Sequence, residues 1–145
     1  KQYILSKRTR ALFLRLKIMN KHLLKKVDAV LIKVADIKQG LAFYQGTLGQ
    51  ELRWKKEKMA AVKLGDSELV LSTELDPETD LLVESVPDAV QTIVNAGGKV
   101  IVNPESIDVG MVAVVGDPFS NKLTLVDLSK GLYETDGNGN ITGVA

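Results

Sequence analysis

Cysteine is absent from the 145-residue chain and histidine occurs once, as His22. The first absence removes disulfides, thiolate nucleophiles and thiolate-bound metal, and it fits a reducing, cytoplasmic compartment. The second leaves Ser-His-Asp acyl transfer with one available base, and no Gly-x-Ser-x-Gly elbow accompanies it. Neither Gly-x-x-x-x-Gly-Lys nor Gly-x-Gly-x-x-Gly occurs, so these two phosphate-cradling loops are missing. No apolar run approaches the roughly 18 to 20 residues of a membrane span. What is there is a hydrophobic content of 45%, enough to bury a core in one domain or in two small modules that share one.

Acids are also missing from the first 26 residues. Nine of the 19 Lys and Arg fall there, giving +9, so the rest of the chain sets ten bases against 18 acids, or −8, under a net charge of +1. Leu5, Leu12, Leu16, Met19 and Leu23 keep helical spacing, which predicts a basic amphipathic helix, although residues 11–18 alternate well enough for a strand. Such a segment suits a polybasic arm for nucleic acid or anionic membrane, or a targeting peptide. The reading preferred here is an extension lying on the acidic body or on a partner subunit, with Met19 as an alternative start.

The chain is organised around Val34–Gly49. Asp36 stands where an N-cap belongs, Ile37, Leu41, Tyr44 and Leu48 recur at helical spacing, and Gly49 suits a left-handed stop. Val83–Gly97 repeats the plan, one residue shorter between its Val and its Gly. Three strands follow each helix: Glu51–Lys56, Met59–Leu64 and Glu68–Ser72 in the first half, then Lys99–Val102, Met111–Val115 and Lys122–Leu128 in the second. Asp28–Val34 and Asp80–Val83 precede the helices, and Asn103–Gly110 reads as a loop bordering a pocket. In the tail, Asp136-Gly-Asn-Gly-Asn140 lacks the Gly and Glu positions of a calcium loop and reads as a hairpin turn.

Val34-x-Asp36 with Phe43-Tyr44 and Leu48-Gly49, then Gly97-Gly98 and Gly116-Asp-Pro-Phe-Ser-Asn121, resembles the vicinal oxygen chelate superfamily of glyoxalases, ring-cleaving dioxygenases and bleomycin-resistance proteins. The resemblance covers about residues 27 to 129. It implies an α+β fold of two βαβββ modules, 27–75 and 76–129, forming a cup-shaped mixed sheet, here with a basic extension at 1–26 and a C-terminal hairpin at 130–145. It also implies a homodimer, and a divalent metal held by four side chains from the first and last strand of each module. Those positions fall on Ala29, Val70, Glu78, or Leu81 in a second register, and Thr124, which offer one carboxylate at best where three or four donors must converge.

No metal, cofactor or catalytic residue is therefore expected. The acids Glu68, Glu78 and Asp80 remain open to acid/base chemistry, although acids so placed are most often surface groups. Strand alternation from Ala29 places Leu31 and Lys33 on the same face, with Glu68 and Ser72 beside Val70 and Lys122 and Val126 beside Thr124. The expected ligand-binding set is Leu31, Lys33, Trp54, Met59, Val70, Glu78, Met111 and Thr124. It predicts a metal-free binder of an apolar or amphipathic small molecule, in the manner of the bleomycin-resistance proteins. The alternatives are a metal-dependent lyase, isomerase or dioxygenase with an altered ligand set, and a module that grips nucleic acid or membrane through residues 1–26.

Overall fold

The computed structural model describes residues 22–145. Most of the expected basic helix, residues 1–21, lies outside the described residues. The rest of that segment is not helical: Lys26 already begins β1 (Lys26–Lys33), and the Lys25 amide donates to the Leu82 carbonyl at 2.8 Å.

Asp36 caps α1 (Ile37–Leu41) as its position predicts, accepting from the Gln39 amide at 2.8 Å. The helix then widens into a π-helical turn, Ala42–Thr47, in which the Leu48 amide reaches the Phe43 carbonyl at 2.9 Å. Gly40 is the buried residue of α1, because a Cβ there would meet Leu71 at 3.1 Å and Val34 at 3.3 Å. Its lack of a side chain lets the backbone settle on the sheet. Strands β2 (Leu52–Lys55), β3 (Met59–Leu64) and β4 (Ser67–Ser72) follow.

The second half repeats this order with β5 (Glu78–Leu82), α2 (Val86–Asn95), β6 (Lys99–Ile107), β7 (Gly110–Gly116) and β8 (Lys122–Asp127). Ser85 caps α2 by accepting from the Asp88 amide, and Pro87 sits in the first turn, where its missing N–H costs nothing. Residues 103–107, expected to be loop, extend β6 instead. β6 is an edge strand whose register shifts between Val102 and Glu105, so Pro104 removes no essential ladder bond.

All eight strands form one curved sheet in the order β2-β3-β4-β1-β5-β8-β7-β6, and the halves join where β1 runs antiparallel to β5. This is the expected α+β cup. On the helix-covered face, Val83, Val86, Ala89, Val90, Ala113, Val115 and Leu125 form a fully apolar core, with Leu23 against its edge. Asp127, 1% exposed, ties that core together: its carboxylate accepts from the amides of Val86 at 2.7 Å, Met111 at 2.9 Å and Ser129 at 3.2 Å. Burial alone would raise its pKa, but these backbone donors hold it below the usual carboxylate range.

The tail forms the expected hairpin of β9 (Tyr133–Thr135) and β10 (Ile141–Val144). Asp136 shapes its turn by accepting from the amides of Asn138 and Asn140, both at 2.9 Å. Among the described residues no helix is long and apolar enough to cross a membrane.

Candidate ligand-binding site

The other face of the sheet is hollow. A cavity of about 590 Å³ opens there, a size that suits a small organic molecule. Its wall consists of two neighbouring rows set by strand register. Trp54 pairs with Ala61, Ala61 with Val70, Val70 with Leu31 and Leu31 with Glu78, so one row is apolar from β2 to β1 and ends in a carboxyl on β5. In the next row Ala29 lies between Glu68 on β4 and Asp80 on β5, and Asp80 pairs with Thr124 on β8.

The second row is acidic. Asp28 joins it because β1 bulges between Val27 and Ala29, which lets consecutive residues reach one cavity. The Trp54 indole N–H donates to Glu68 at 3.1 Å and links the two rows. Burial raises the carboxyl pKa of both Asp28 and Glu68, the latter despite the Trp54 bond. Burial, then the Glu78 carboxyl two residues away with Asp28 behind it, push Asp80 up to about 8. Among the described residues the buried Oδ1 of Asp80 has no hydrogen-bond partner. Near neutral pH, then, Asp80 holds a proton, and the wall is an acidic surface short of donors.

Five of the eight expected residues, Leu31, Trp54, Met59, Val70 and Glu78, line the cavity. Three do not. Lys33 sits at the exposed end of β1, where its ammonium lies 3.6 Å from Asp76. Met111 packs against the helix-side core, because it is Val112 that turns inward from β7. Thr124 shares the acidic row's register but falls outside the lining. Sequence reasoning missed Asp28 and Arg53, both beside bulges that break strict alternation, and it missed Leu132 and Tyr133, which come from the tail; Ile107 and Val109 lie in Asn103–Gly110, the stretch expected to border a pocket. Asp80 was open to view as an acid, but its burial was not.

The four positions where the resembled superfamily holds metal can now be tested. Ala29, Val70 and Glu78 do share the cavity wall, yet Glu78 alone carries a carboxylate. Among the described residues no three or more Asp, Glu, His or Cys are grouped so as to hold a metal ion. These residues do not fit a divalent cation.

Two βαβββ modules sharing one curved sheet, hollow on the side away from the helices, define a cup of the vicinal oxygen chelate class. Residues 29–126 match the model of the glyoxalase-like domain, and the chain belongs to that family. Among solved structures, it is similar to a hypothetical protein from Bacillus halodurans, with 20% identity, a TM-score of 0.59 and coverage of 77% of this chain and 98% of that one. It is also similar to methylmalonyl-CoA epimerase from Mycobacterium tuberculosis, with 14% identity, a TM-score of 0.60 and coverage of 74% and 90%. An NAD-dependent benzaldehyde dehydrogenase structure from Legionella pneumophila gives 21% identity, a TM-score of 0.56 and coverage of 69% and 97%. At these identities the likeness is one of fold. No curated protein matches the sequence.

Proposed function

We propose that this chain is a metal-free binding protein for an amphipathic small molecule with a cationic end. The observation that carries the reading is the pairing of rows in one cavity. Leu31, Trp54, Met59 and Val70 offer apolar area, and Asp28, Glu68, Glu78 and Asp80 offer carboxyls beside it. Burying the apolar body supplies affinity at about 25 cal/mol per Å², while an ammonium group supplies the donors that Asp80 lacks and the charge that the row attracts. The indole face of Trp54 adds a cation–π surface. Arg53 and the nearby Lys26 temper the row on the Glu68 side, so the cation belongs at Glu78 and Asp80. Sequestration needs affinity alone, which is compatible with the missing metal donors. The absence of cysteine fits a cytoplasmic setting, and the family resemblance points to a homodimer.

Trp54 is the only tryptophan of the chain, so its fluorescence reports directly on the cavity. Titration with octylammonium, octanol and octanoate should give saturable quenching by octylammonium at one site per chain, about tenfold tighter than octanol, with octanoate weakest. Failure of all three to give a saturable change overturns the reading.

A further inference from the structure

The glyoxalase-like match ends at residue 126, yet Leu132, Tyr133 and Thr135 line the cavity from beyond it. The C-terminal hairpin that carries them is anchored on both halves of the cup. On the first half, the Lys55 amide donates to the Gly139 carbonyl at 2.8 Å. On the second, the Lys130 amide donates to the Val109 carbonyl at 3.0 Å and its ammonium to the Ile107 carbonyl at 2.9 Å. Between these anchors lies a clasp of three residues. The Tyr133 hydroxyl donates to Asp108 at 2.9 Å, Lys56 donates to the same carboxylate oxygen at 2.7 Å, and the Lys56 ammonium lies 4.8 Å from the centre of the Tyr133 ring.

Each member of the clasp is flanked by lining residues: Lys56 by Trp54 and Met59, Asp108 by Ile107 and Val109, Tyr133 by Leu132. The Tyr133 ring rests on Trp54 with centroids 5.0 Å apart. We infer that the C-terminal hairpin is a strap across the mouth of the cavity, and that Tyr133, pinned through its hydroxyl to Asp108, determines what enters and how long it stays. The inference rests on the cavity being a binding site. The clasp is made of one side chain from each half and one from the tail, so releasing it unpins the Tyr133 ring over the cavity while the backbone anchors at Gly139 and Lys130 and the helix-side core stay in place. The bonds are partly exposed to solvent, which limits their strength and makes them suited to opening and closing.

The test is acrylamide quenching of Trp54 in the free protein, because it reads access to the cavity without any ligand. Tyr133→Phe, which keeps the ring, and Asp108→Asn, at an exposed site, should each raise the quenching constant roughly threefold. Lys58→Ala, which breaks the separate Lys58–Glu74 pair, should leave it unchanged. Stopped-flow release of octylammonium should speed up three- to tenfold in the first two variants, as expected for loss of about one hydrogen bond. Unchanged quenching in both clasp variants, with wild-type denaturation midpoints, overturns the strap. Binding of no octyl probe by the wild type overturns the binding reading instead, and the quenching result still decides the strap.

Discussion

On the convex face of the sheet, Ala113, Val115 and Leu125 are fully buried in the core that α2 covers; on the concave face, Val70, Val112 and Leu31 meet a cavity. Along β7 the two faces alternate, with Ala113 and Val115 on one and Val112 on the other. Their difference lies in what covers them. α2 presents Val86, Ala89 and Val90 in one stripe, and Asp127, the buried acid among the described residues, is satisfied by three backbone amides. Among the described residues no helix covers the concave side, and its acids crowd one another, with an oxygen of Asp80 lacking a partner. Packing that is complete specifies the fold, and packing that stops short leaves a site.

The comparison breaks most forcefully on the sealed side. Leu125→Ala, at a fully buried position, should lower unfolding free energy by about 2 to 5 kcal/mol in urea denaturation while the cavity still binds octylammonium. Asp127→Asn comes next, at about 2 to 3 kcal/mol, because an amide turns donors toward backbone donors. Asp127 is depressed in the folded state, so its contribution is present above the unfolded value near 3.9 and fades as pH falls through the folded one. The variant should accordingly show a flatter acid limb in a series of melts.

Asp80 has the opposite sign. Its folded value of about 8 exceeds the unfolded value near 3.9, so the native state binds the extra proton between them. Its cost is absent below about pH 4, grows through neutrality and is complete above about pH 8. Asp80→Asn should therefore gain about 1 to 2 kcal/mol over wild type at pH 9, and nothing at pH 4, with octylammonium binding weakened most at pH 9 and least at pH 4.

Much of the sealed side was legible in the sequence. Asp36 and Gly49 bracket the first helical segment as expected, with Gly49 at φ +76°, and the two Val-to-Gly repeats mark the modules. Alternation from Ala29 turned Leu31 inward and set Glu68 beside Val70, and all three line the cavity. It failed where the backbone departs from a period of two. Bulges before Ala29 and Trp54 bring Asp28 and Arg53 into the cavity, and neither carries a glycine or proline that would have signalled it. Met111 was assigned to the wrong face because nothing in a run of Met-Val-Ala-Val-Val distinguishes its two sides. Tyr133 was out of reach for another reason: its partners lie 25 and 79 residues away, at Asp108 and Trp54, and only the fold brings them together.

Calorimetric titration of octylammonium at pH 7.5, repeated in two buffers of different ionisation enthalpy, tests most directly whether the hollow face is a cation site. One molecule should bind per chain with release of part of a proton, since the ammonium favours the ionised form of Asp80 and stays charged itself below about pH 10. Heat without saturation, or saturable binding with no proton released, would contradict it.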